Sequence, residues 1–74
     1  PVVKIPFEIG KQESVSLIVF DLNGKAVEPL IQNRMMQAGR YQIEWDGRQH
    51  ASGMYLYSIQ AGEFRQTKKM VLLK

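Results

Sequence analysis

No cysteine occurs among the 74 residues. That excludes a disulfide framework, a thiolate metal site and a cysteine nucleophile. It leaves the compartment open, because secreted bacterial domains can fold without disulfides. Apolar runs reach no further than four residues, as in Met70-Val71-Leu72-Leu73, far too short to span a bilayer. The first stretch alternates apolar with polar residues and has no apolar core segment, so it reads as a strand and not as a signal peptide. Glycine never clusters. Gly10, Gly24, Gly39, Gly47, Gly53 and Gly62 stand singly, each where a strand begins or ends, so no phosphate-binding loop is present. Histidine and tryptophan occur once each, at His50 and Trp45.

What is there fits one small domain. A chain this short buries about 60% of the surface it exposes when unfolded. Apolar residues at 45% and charged residues at 23% give the balance of a globular domain. The charge is unevenly placed. The last ten residues hold Arg65, Lys68, Lys69 and Lys74 without an acid, while the first 64 hold six bases and seven acids, a net of −1. The whole excess of +3 therefore comes from the C-terminal end. Those bases are interleaved with apolar residues and not with exposed aromatics, which argues against a nucleic-acid surface.

The hydrophobic period is two along most of the chain. Val3, Ile5, Phe7 and Ile9 alternate with Lys4, Pro6 and Glu8, and Pro6 places that strand at an edge. Val15, Leu17 and Val19 alternate with Ser14, Ser16 and Ile18, and Phe20 continues the run. Asn23-Gly24 then predicts a two-residue type I′ hairpin with positive φ at both positions. Val27, Leu30 and Ile31 mark an irregular strand broken by Pro29. Gln32 to Gly39 reads as a loop, since its few helix formers cannot nucleate a helix alone. Tyr41, Ile43 and Trp45 form one strand face, and Tyr55, Tyr57 and Ile59 another. Ala61-Gly62 turns the chain into a last strand from Phe64 to Leu73. Six to seven strands at short intervals predict an all-β, antiparallel Ig-like β-sandwich, a single domain over residues 1–74. Trp45, with Tyr41 and Ile43 on its face, is expected in the core.

Few residues invite chemistry. Asp46, His50 and Ser52 crowd one loop and match a Ser/His/Asp triad in residue type. A triad is recognised by geometry, however, and Asp46-Gly47 and Ser52-Gly53 are ordinary turn pairs. Glu44 and Asp46 share a strand face at a spacing that suits Ca²⁺ or acid/base work. A solvated outer face paired with Arg40 or Arg48 explains them more simply. A sugar platform would rest on Phe20 and Phe64, because the other aromatics read as core. No catalytic residue, metal site or cofactor is expected. The final segment stands apart: Lys68, Lys69, Met70, Val71, Leu72, Leu73 and Lys74 form a basic-apolar strip. It reads either as a buried last strand or as an edge recognised by a partner through strand addition.

Three segments together resemble a known family. They are Val15-Ser16-Leu17-Ile18-Val19-Phe20-Asp21-Leu22-Asn23-Gly24-Lys25, the run from Ala38-Gly39-Arg40-Tyr41 through Trp45-Asp46-Gly47 to Ser52-Gly53-Met54-Tyr55-Leu56-Tyr57, and the ending Thr67 to Lys74. The chain resembles the type A C-terminal sorting domain of the type IX secretion system, found in Bacteroidetes and related Gram-negative bacteria. The block from Ala38 to Gly47 is also similar to the Ig-like domain of flagellar hook-capping proteins. The family motif falls on Gly39, Tyr41, Gly53, Tyr55 and Tyr57, and on Lys68 to Lys74. The resemblance implies a seven-stranded sandwich that ends a larger secreted protein. It implies recognition by the outer-membrane translocon and its shuttle protein, and in many members removal by a surface sortase. It places the protein in the periplasm in transit and outside the cell or on its surface at the end. The chain opens Pro1-Val2-Val3-Lys4-Ile5 where members have an Asn-Pro-rich segment, so a shortened first strand is expected. Ile18 stands where members often carry a polar residue, and with Phe20 it predicts an apolar patch. Two other readings are a carbohydrate-binding accessory module of a secreted glycoside hydrolase and a structural Ig-like spacer or assembly module.

Overall fold

The computed structural model describes all 74 residues and contains strands only. β1 is Val2–Ile9, β2 Glu13–Phe20, β3 Ala26–Met36, β4 Gly39–Asp46, β5 Gly53–Ala61 and β6 Phe64–Leu72. β1 and β4 make a two-stranded antiparallel sheet. The other four make an antiparallel sheet in the order β3-β2-β5-β6. This is the expected sandwich, with six strands and the smaller sheet lying across the larger.

Period two builds the core directly. Alternate side chains of a strand point to one face. Val15, Leu17 and Val19 of β2 are fully buried and face Ala61, Ile59 and Tyr57 of β5 across the ladder. Ile5 and Ile9 of β1 and Trp45 of β4 close the core from the other sheet. Trp45 is fully buried, as its strand pattern predicts, while Tyr41 and Ile43 are half-buried beside it. Phe7 stacks on Tyr41 across the two-stranded sheet, with ring centroids 5.4 Å apart.

Two local expectations are corrected. Gln32 to Gly39 is not a loop, because β3 continues to Met36 and only Gln37 and Ala38 separate it from β4. The pairing steps from Val15↔Arg34 to Leu17↔Ile31, so β3 carries an extra residue there. Asn33 takes a positive φ of 47° at this bulge, and its amide donates to Ser16 Oγ at 3.0 Å. A bulge resets the phase of alternation, and Ile31 is the one buried residue of the strand, so the pattern fades beyond it.

Nor is Asn23-Gly24 a two-residue type I′ hairpin. Gly24 has φ of 84°, but Asn23 is not in the positive region. The Asp21 carboxylate accepts from the amides of Asn23 and Lys25, both at 2.9 Å. The Gly24 amide donates to the Asp21 carbonyl at 3.1 Å. The result is a three-residue loop with glycine at its left-handed position, the next most common hairpin solution. The tight two-residue hairpin is at Gly62-Glu63, between Ala61 and Phe64, where Gly62 has φ of 61°.

The two prolines within strands stand where a missing donor does least harm. Pro6 lies in β1, which has a neighbour on one side only, and Pro29 lies in β3, an edge of the larger sheet.

Candidate functional site

The C-terminal strip is the outer strand of the larger sheet. β6 pairs with β5 in unbroken register from Ala61↔Phe64 to Gly53↔Leu72, and its other side has no partner strand. The strip divides by parity. Met70 and Leu72 point inward and are buried, Leu72 completely. Lys69 and Val71 point outward, and Val71 is 49% exposed. Lys68, Leu73 and Lys74 are exposed as well. The strip is therefore neither buried on both faces nor free on both.

Leu72 fixes the end of β6 at one pole of the sandwich. A Cβ on Gly47 would stand 2.5 Å from both Leu72 δ-carbons, so only a residue without a side chain fits beneath it. The Gly47 amide donates to the Pro1 carbonyl at 3.0 Å, bringing the start of β1 to the same pole. Lys74 Nζ donates to the Arg48 carbonyl at 2.8 Å and ties the last residue there. Arg48 also meets the Asp46 carboxylate, Nη2 to Oδ2, at 2.9 Å. The Arg48 amide, and then its guanidinium, hold the Asp46 carboxyl below its ordinary value. Both side chains are well exposed, so the pair organises a turn and contributes little stability.

The residues on which the resemblance places the family motif shape the starts of β4 and β5. Gly39 and Gly53 open β4 and β5 with φ of 156° and 149°, values open to glycine. Two residues on, Tyr41 and Tyr55 each turn back on the chain. Tyr41 O–H donates to the Gln37 carbonyl at 2.7 Å, and Tyr55 O–H to the Ala51 carbonyl at 2.6 Å. The same five-residue corner is thus used at two of the three crossings between sheets, from β3 to β4 and from β4 to β5. Period and spacing alone did not expose this repeat, although Gly-x-Tyr occurs at both sites. Tyr57 is buried in the core, and its desolvation pushes the phenol up from its usual value.

The candidate triad is not assembled. Asp46 is engaged with Arg48, while His50 Nε2 lies 3.6 Å from Glu28 Oε1, and Ser52 is bonded to neither. Trp45 Nε1 donates to the same Glu28 oxygen at 3.0 Å. His50 and Tyr55 pack around the indole, with centroids at 5.4 Å and 5.0 Å. Sequence reading missed Glu28, whose fold role is to accept from the buried indole. Glu44 and Asp46 are both exposed, and Arg40 reaches toward Glu8 at 3.9 Å. No group of three or more acidic or histidine side chains is placed to hold a metal ion. Phe20 and Phe64 lie on opposite faces of the larger sheet, so they do not form one sugar platform.

Residues 2–73 match a family model described as the secretion system C-terminal sorting domain. No curated protein and no solved structure matches the chain significantly.

Proposed function

This chain belongs to the type IX secretion system C-terminal sorting domains, and on that premise we propose that it is a non-catalytic signal that sends an attached N-terminal cargo through the outer-membrane translocon. The shuttle protein of that translocon, and a surface sortase acting afterwards, are the partners that fit this role. The cargo passes through the periplasm and ends outside the cell or on its surface.

The observation that carries the reading is the state of β6. Four strands have a free side: β1 and β4 of the smaller sheet, β3 and β6 of the larger. Pro6 blunts β1, and Pro29 with its neighbouring bulges blunts β3. β6 is a regular nine-residue strand without proline, and it alone joins a free edge to a run of bases. An unpaired edge offers backbone donors and acceptors to an incoming strand. Lys68 and Lys69 favour a partner with acidic groups. Met70 and Leu72 serve by anchoring the strand, and Val71 and Leu73 by being presented.

Because Leu72 and Met70 are core residues, deleting Met70 to Lys74 would damage the fold along with the signal. The decisive variant is Lys68→Glu with Lys69→Glu in the full cargo protein. Both side chains are exposed, so Trp45 fluorescence and the thermal transition should stay unchanged while cargo accumulates in the periplasm. Normal delivery of this variant to the surface would remove the bases from the signal. Failure of the unmodified domain to export a reporter would overturn the sorting role itself.

A further inference from the structure

The outer face of the larger sheet is divided into two halves. Across the ladders, Ser14, Ser16, Gln60, Arg65 and Thr67 occupy one half. The other half is mainly apolar and draws on all four strands, with Ser58 beside Ile18 and Lys69 beside Leu56 as its polar members. Phe20 stands opposite Leu56, Met54 opposite Val71, and Ile18 opposite Pro29. Met54 is 44% exposed and Val71 49%. Ile18, Phe20 and Leu56 are half-buried only by one another and their strand neighbours, since no second layer covers this face. The solvated face of an antiparallel sheet ordinarily alternates to polar residues. A continuous apolar area of this kind on a small domain marks an interaction surface.

The charge on the face selects the occupant. Lys69 stands opposite Leu56 inside the apolar half and takes part in no ion pair. Arg65 lies further along the same strand face, bonded to Gln60 at 3.0 Å. No acid occurs on the outward positions of β2, β5 or β6. Pairing of two copies through this face would bring base against base with no acid between them, which like-charge repulsion opposes.

We propose that the apolar half of this face is a docking surface for a partner protein that presents apolar side chains and a carboxylate opposite Lys69. Recognition then spans β2, β5 and β6, and joins the strip's Lys69 and Val71 to residues of β2 and β5 that lie outside the strip. That this partner belongs to the export machinery rests on the sorting role proposed above. The apolar contact supplies affinity, and the pairing with Lys69 supplies register and discrimination.

The test replaces Ile18, Met54 and Leu56 by Thr together, in a full-length cargo with a fluorescent reporter. None of the three lies in the terminal strip. Threonine keeps β propensity and removes apolar surface. Surface delivery should fall by about tenfold or more, the loss of one good contact cluster, while the thermal transition persists. Ser14→Thr, in the polar half, should deliver normally. If the triple variant melts early, Met54→Thr alone, at an exposed side chain, reads the same contact. Normal delivery by a folded variant overturns the docking surface and leaves the sorting role standing. Loss of delivery by the unmodified chain overturns both. Sedimentation of the purified chain should show a monomer. A dimer that the triple variant abolishes would assign the face to self-association and overturn the proposal.

Discussion

Leu72 lies over the missing side chain of Gly47. The two residues are 25 apart in sequence, Gly47 just after β4 of the smaller sheet and Leu72 at the end of β6 in the larger, and each explains the other. Leu72 is fully buried because Gly47 leaves it room, and Gly47 is required because a Cβ would stand 2.5 Å from the leucine methyl carbons. The contact fastens the far end of the terminal strand, so the presented side chains next to it hold a fixed position.

Gly47→Ala should therefore destabilise by about 1–3 kcal/mol through overpacking. Leu72→Ala alone should cost about 2–5 kcal/mol. The double variant should cost less than the sum, because the smaller residue at 72 makes room for the new methyl. Denaturant titration of the three proteins measures the coupling. Strict additivity would show that the contact is not the reason for glycine.

Trp45 is the largest fully buried side chain and donates to Glu28 at 3.0 Å. Trp45→Ala should cost about 3–5 kcal/mol, enough to unfold a domain of this size. Glu28→Ala should cost less, about 1–3 kcal/mol, by leaving the indole N–H unpaired. Native tryptophan emission should be blue-shifted, and an emission maximum like that of free tryptophan would contradict the burial.

The two corner tyrosines should behave alike. Tyr41→Phe and Tyr55→Phe each remove one phenol-to-carbonyl bond and keep the ring packing, at a cost of about 0.5–1.5 kcal/mol. Tyr41 and Tyr55 belong to different sheets, so the two losses should add. Thermal unfolding of the single and double variants checks this.

Gly24→Val should destabilise the β2-β3 hairpin strongly, since φ of 84° is costly for a β-branched residue. Gly24→Asn should be milder, because Asn tolerates the left-handed region. Equal stability of the two variants would show that the loop rearranges.

Protonation should act at two ends of the pH scale. The Asp46 carboxyl is held below its ordinary value by Arg48. Its contribution is present above the unfolded-state value of about 3.9 and is lost as pH falls through the lower folded value. Asp46→Asn should flatten that acid limb slightly. Tyr57 is raised by burial, so its contribution is complete below the unfolded value of about 10 and is lost as pH rises toward the folded one. Ultraviolet titration should show a phenol ionising above the ordinary tyrosine value that disappears in Tyr57→Phe. An unchanged titration curve in that variant would refute the burial argument.

The strand class, the faces of most strands, the burial of Trp45, the edge position of Pro6 and the family were legible in the sequence. These follow from period two and from residue chemistry, which act over a few neighbours. Tertiary structure alone decided the rest. The length of β3 was hidden because a bulge at Asn33 breaks the period and because the strand buries little. The loop at Gly24 was set by the Asp21 carboxylate, which captured two amides and displaced the two-residue turn that Asn23-Gly24 favours. The split of the terminal strip into anchoring Met70 and Leu72 and presented Lys69 and Val71 depended on which face of β6 meets the core. That choice came from the pairing with β5 and the gap above Gly47, two contacts between residues far apart in the chain, to which local periodicity is blind.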